Sequence, residues 1–291
     1  MSQLNSTRAF AAAIIGLATL SACSNANTAK SVDADETSES FMTDSIHVND
    51  TLVMGGCNAT AKISGLYPTG DDCLSDSVRK WIADRLRYGL SETGTPLFEL
   101  HDGVYDNGDS LIRLECDLLL ADARQDFSSF IADSISVSYE YDFRFSPAYT
   151  TDSILTYSFG SYVYLGGAHG GATGCGQTFA RSTGDMLDSG NMFLPDSLPA
   201  LLSMVKSGLW NQYFKDDIDG SDMTLRDVLL INPDTLHLPA FPPVYLQEGI
   251  NFTYQQYEIA CYAAGMPSCT ISYDSIRPLL TPKAAALIPN P

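Results

Sequence analysis

The run Gly166-Gly167-Ala168-His169-Gly170-Gly171, just after Tyr164, sets one titratable ring among glycines. Glycine lets backbone N–H groups approach an anion or a sugar closely, and a histidine at the rim of such a loop can donate or accept a proton. The competing reading is a tight strand-to-strand connection whose histidine hydrogen-bonds its own loop. No helix follows the glycines, which argues against a phosphate-binding loop. Cys175 lies close enough in sequence to pair with His169 as nucleophile and base, but no third, orienting group is evident. Ser158 and Ser161 lack the G-x-S-x-G spacing of a nucleophile elbow.

A second group is Tyr254, Tyr257 and Tyr262 with Glu258. Tyrosine offers contact area at low entropic cost, so these residues would suit an aromatic platform for a glycan or a protein, or equally the packing of a hairpin. Two oxygen-rich stretches, Asp102, Asp106, Asn107 and Asp109, and then Asp216, Asp217, Asp219 and Asp222, have the ligand type calcium prefers but not the EF-hand spacing. They read as solvated loops. The four histidines, at 47, 101, 169 and 237, and the cysteines show no zinc spacing, so neither metal nor cofactor is expected.

The elements that must position these groups follow from periodicity. Ser45 to Met54 alternates apolar and polar residues, Ala59 to Leu66 looks like its partner strand, and Ile135 to Phe145 alternates strictly. Ile154 to Leu165 continues as strand with an interruption expected at Gly160. Helical spacing appears over Leu74 to Leu86, with Ser75 or Asp76 as cap and Arg85 on the apolar face, then over Ser110 to Ile131, Ser197 to Phe214 and Thr224 to Ile231. Val244 to Tyr254 reads as a hairpin turning at Gln247-Glu248-Gly249, Cys269 to Tyr273 as a short strand, and Ser275 to Leu280 as the start of a final helix. The order predicts an α+β fold, mainly antiparallel sheet packed with helices, in two successive modules at 45–148 and 149–291.

With 291 residues and 45% hydrophobic content the chain can fill a real core. Its 35 acidic against 16 basic residues give a net charge of −19 and argue against nucleic-acid binding. Residues 1–22 read as a signal peptide with an apolar run too short to span a bilayer, and Leu20-Ser21-Ala22-Cys23 resembles a lipobox, so Cys23 is the expected lipidation site. Residues 23–44, polar and acidic, read as a flexible tether. Membrane attachment through Cys23 would place the protein in the bacterial cell envelope. Six further cysteines in a compartment that permits disulfides make Cys57 with Cys73 and Cys261 with Cys269 the simplest expected pairs.

Two stretches carry a family pattern. The first is Tyr162-Val163-Tyr164-Leu165-Gly166-Gly167-Ala168-His169-Gly170 with Phe179, Thr183-Gly184 and Met192-Phe193. The second runs from Gln247-Glu248-Gly249 through Tyr254, Tyr257-Glu258 and Tyr262 to Ile271-Ser272-Tyr273. Together they resemble the extracytoplasmic domain shared by the lysozyme-sensing anti-sigma factor RsiV and some peptidoglycan deacetylases, over about residues 150–285. The sequence departs from that pattern at Gly171 to Gly176 and at Cys261. A lipid site stands where the anti-sigma relatives carry a cytoplasmic segment and membrane helix, so an anti-sigma role is not implied. The resemblance implies a non-enzymatic envelope domain binding a wall glycan (peptidoglycan) or a lysozyme-like protein. Tyr164, Gly166, Gly167, His169, Tyr254, Tyr257, Glu258 and Tyr262 are the candidate contacts. The alternative is an envelope hydrolase working on a cell-wall or lipid substrate through His169 with Glu258 or Cys175.

Overall fold

The computed structural model describes residues 41–89, 95–215 and 223–288. The signal peptide, Cys23, most of the tether and the acidic loop from Asp216 to Asp222 lie outside the described residues.

Strands β1 (Thr43–Met54) and β2 (Cys57–Pro68) pair as a long antiparallel hairpin. Alternation in β2 buries Cys57, Ala59, Ala61 and Ile63 completely. Two helices then cross one face of the sheet. The first, α1 (Cys73–Leu86), begins where the Asp72 side chain accepts the Ser75 amide at 3.0 Å, so the cap is Asp72, ahead of the expected Ser75 or Asp76. Asn107 caps α2 (Gly108–Ala132) in the same way through the Ser110 amide. Because this crossover returns the chain to the same end of the sheet, β3 (Ser138–Thr150) pairs parallel to β2, the one parallel pair in an otherwise antiparallel sheet. Strand β3 starts later than its alternation predicts, since the Ile135 amide is taken by the Phe130 carbonyl in closing α2. Its buried face, Tyr139, Tyr141, Phe143 and Phe145, packs with Phe127 and Leu119 of α2 and Trp81 of α1 in the first core.

Strand β4 (Ile154–Tyr164) passes through Gly160 without interruption, because Gly160 is in register with Arg144 on one side and Gly174 on the other. A turn through the glycine loop leads to β5 (Gly171–Ala180), and short β6 (Met186–Leu187) completes a six-stranded sheet in sequence order. Strand β3 runs through residues 148 and 149 and pairs with both β2 and β4, so the sheet draws strands from both sides of that point.

A second core follows. Helix α3 (Ser189–Met192) leads to α4 (Leu198–Leu209), which continues as a π-turn over Trp210–Phe214. Helix α5 (Leu225–Val228) stops early because Leu229 leaves it to bridge Ala260. Strands β7 (Val244–Leu246), β8 (Gly249–Thr253) and β9 (Ser268–Ser272) form a three-stranded antiparallel sheet turning at Gln247-Glu248, against which α4 packs. Helices α6 (Tyr273–Ile276) and α7 (Pro282–Ala285) end the described chain. Buried threonines join the two sheets: Thr156 of β4 donates to the Tyr245 carbonyl at 2.7 Å, and the Tyr245 amide donates to Thr178 of β5 at 3.0 Å. Such satisfied polar contacts fix β7 beside β5 where an apolar contact would let it slide. The observed class is α+β.

The expected disulfides are absent, and geometry explains both. Cys57 and Cys73 sit at opposite ends of β2, separated by roughly 35 Å of strand, whereas a disulfide needs Cα atoms within about 7 Å. Cys269 points inward, its thiol donating to the Val205 carbonyl of α4, while Cys261 is exposed; both are free thiols.

Candidate functional site

Loop 165–170 is built as a hairpin connection. Gly166 and Gly167 adopt φ of +79° and +95°, in the region that favours glycine, and a Cβ on Gly166 would meet Val137 at 2.7 Å. Tyr164 closes the turn by donating its hydroxyl to the Gly167 carbonyl at 3.0 Å. His169 follows, with Nδ1 3.0 Å from the Gly170 carbonyl. A carbonyl only accepts, so Nδ1 is the donor in this contact.

The second motif meets the first here. His169 lies flat on Tyr262, ring centroids 3.9 Å apart at 24°, and Tyr257 stands 5.8 Å from Tyr262. Tyr257 is 56% exposed and holds φ of +64°, one of two described non-glycine residues with positive φ. That conformation costs a non-glycine residue on the order of 1 kcal/mol or more and is characteristic of ligand clamps. His169, Tyr257 and Tyr262 line a cavity of about 420 Å³ between the hairpin, the C-terminal end of α1 and the segment 255–262.

Glu258 shapes the cavity from behind. Its Oε2 accepts the Gln255 amide at 2.7 Å and its Oε1 the Ala240 amide at 2.8 Å, with His237 Nδ1 3.9 Å from Oε1. The carboxylate thus fixes the turn that presents Tyr257, and it is not paired with His169. Tyr254 is fully buried, donates to the His237 carbonyl at 2.6 Å and is pushed well above the usual phenol range by burial; it belongs to the second core. Of the eight sequence candidates, then, His169, Tyr257 and Tyr262 reach the cavity, while Tyr164, Gly166, Gly167, Tyr254 and Glu258 hold the surrounding backbone.

Sequence reasoning passed over the polar floor. Gln255 grips Gly174 in both directions, Nε2 donating to its carbonyl at 2.9 Å and Oε1 accepting its amide at 3.1 Å, and Gln256 accepts the Ala172 amide at 2.9 Å. These amides cover the part of β5 that has no neighbouring strand beyond it. The opposite wall is made by Arg85 of α1 and Tyr88 of the turn after it, with Phe241 beside them; Arg85 carries its guanidinium 5.4 Å over the Phe241 ring. An arginine on the apolar face of a helix was the signal available in the sequence for this wall. Cys175, from β5, shares the cavity with His169.

The first acidic stretch is used structurally: Asn107 caps α2 and Asp102 accepts the Tyr105 hydroxyl at 3.4 Å. Among the described residues no three of His, Cys, Asp and Glu gather as a metal site.

With this geometry in hand, comparison with known proteins places part of the chain. Residues 190–274 match a family of unknown function, DUF3298. The matched stretch includes the turn 255–262 but not the His169 hairpin. A crystal structure of a DUF3298 family member from Bacteroides fragilis NCTC 9343 is similar over 85% of this chain and 97% of its own, with a TM-score of 0.64 and 21% identity. A DUF3298 family protein from Pseudomonas aeruginosa PAO1 is similar over 86% of this chain and 98% of its own, with a TM-score of 0.58 and 16% identity. At these identities the likeness is one of fold. No curated protein matches the chain.

Proposed function

We propose that the chain is a lipid-anchored, non-enzymatic envelope protein whose cavity beside β5 binds a wall glycan. The carrying observation is the His169–Tyr262 ring pair, stacked at 3.9 Å with exposed Tyr257 next to it, on the wall of a cavity floored by amide side chains. Flat aromatic faces take the apolar face of a sugar ring, and side-chain amides take its hydroxyls and acetamido groups. The motif resemblance to the extracytoplasmic domain of RsiV and the lipobox support the envelope setting. A hydrolase working through His169 and Glu258 fits less well, because Glu258 is committed to two backbone amides and to the turn.

A second reading, binding of a lysozyme-like protein, is favoured by the net charge of −19, which would attract a strongly basic partner. Isothermal titration of the full-length protein with soluble peptidoglycan fragments and with lysozyme separates the two. Saturable heat with the fragments, weakened about tenfold or more in a His169→Ala, Tyr257→Ala double variant, is the expected result. Heat with lysozyme alone moves the function to the second reading, and silence with both overturns each.

A further inference from the structure

The chain carries 35 acidic side chains, yet none of the described ones lines the cavity; among the described lining residues the arginine is Arg85. Arg85 is a fifth exposed, and its Nη2 lies 2.6 Å from Asp84 Oδ2. The same carboxylate also accepts Arg87 Nε at 3.0 Å. One carboxylate shared between two guanidinium groups leaves one positive charge over. The fully buried carboxyl of Glu115 lies behind the Gly89 wall, where a Cβ on Gly89 would stand 2.5 Å from Oε1. Glu115 has no hydrogen-bond partner among the described residues, and burial pushes its carboxyl well above the usual carboxylate range. Arg85 is therefore the described cation that faces the cavity, its charge shared with Asp84 and set against the Glu258 carboxylate behind the 255–262 turn.

Resting on the glycan reading, we infer that the ligand is an acidic saccharide, its ring against the His169–Tyr262–Tyr257 surface and a carboxylate turned to Arg85. Phe241 lies beneath the guanidinium, whose carbon is 5.4 Å from the ring centroid, a cation–π contact that helps hold the group at the cavity wall. Net negative charge elsewhere lowers the on-rate for an anion, so the selectivity resides in this contact and not in long-range steering.

The test compares two sugars that share a ring, N-acetylmuramic acid with its carboxylate and N-acetylglucosamine without it, titrated into the full-length protein by ligand-observed NMR. The acidic sugar should bind about tenfold tighter, and raising salt from about 0.05 to 0.5 M should erode that preference. Arg85→Gln should bring the acidic sugar down to the neutral sugar's affinity, while Arg85→Lys keeps part of the difference. Equal affinity of the wild-type protein for both sugars, at either salt, overturns the inference and leaves the glycan cavity standing. Absence of binding by either sugar overturns both. The wild-type salt comparison needs no variant, so it decides the matter even where Arg85→Gln fails to fold.

Discussion

Glu115 is fully buried on α2, and neither carboxylate oxygen has a hydrogen-bond partner. Desolvation alone pushes its pKa well above the ordinary carboxylate range. In the unfolded chain the same group ionises near its usual value, so between the two pKa values the unfolded state has lost a proton that the folded state keeps. This group's contribution to stability is thus fully present at acid pH and falls as pH rises towards the raised folded value, by about 1.4 kcal/mol per pH unit. Glu115→Met, which removes the ionisable group and keeps the volume, should raise the melting temperature at pH 8 by the equivalent of roughly 1–3 kcal/mol and much less at pH 5. Thermal unfolding followed by circular dichroism at both pH values checks it. An equal shift at the two would mean that the carboxyl has the same protonation in both states.

At the scale of elements, β5 is the strand most exposed to loss. Its first half is glycine-rich, pairs with β4 on one side, and has the Gln255 and Gln256 side chains on the other in place of a strand. Gly176 cannot carry a side chain without moving its neighbours, since a Cβ would meet the Tyr157 carbonyl at 2.9 Å and Val244 at 3.0 Å. Gln255→Ala removes a two-way amide clamp and should cost about 1–2 kcal/mol in urea unfolding, and also weaken glycan binding by loosening the cavity floor. Unchanged stability would show that water replaces the amide at no cost.

This strand also marks where reading the sequence stops. Residues 135–145 could be read as strand because alternate Tyr and Phe side chains face a core, and α1 and α2 because their apolar residues recur at helical spacing. The run Gly171 to Gly176 offers no such alternation: its conformation is set by close backbone approach to β4, by the Val244 side chain of β7 and by two glutamines far along the chain. The same holds for the site. His169 and the tyrosines around 257 each stood out locally, but their stacking depends on how the hairpin and the 255–262 turn meet. Glu258 drew notice for its charge, whereas its work is to hold backbone amides. The expected Cys57–Cys73 disulfide failed for a related reason, since nearness in sequence says nothing of distance when a twelve-residue strand runs from one towards the other.

For the whole molecule, what could hold it at a membrane is limited by its charge. No described helix is long and apolar enough to cross a bilayer. A net charge of −19 is repelled by anionic headgroups, so electrostatic adsorption works against attachment. If the protein is an envelope lipoprotein, the acyl chains on Cys23 must supply the whole of its membrane affinity, and stable anchoring needs more than one chain at about 0.8 kcal/mol per buried methylene. Attachment of this kind is insensitive to salt, unlike that of a peripheral basic protein. The full-length chain expressed in a bacterial host should therefore pellet with membranes at both low and high salt and incorporate labelled palmitate, and Cys23→Ser should abolish both. A Cys23→Ser variant that still pellets would place the attachment elsewhere, on a membrane partner bound by the folded residues. Washing off with salt would point the same way, because only a contact between opposite charges, which so acidic a chain makes with a basic protein, is undone by screening.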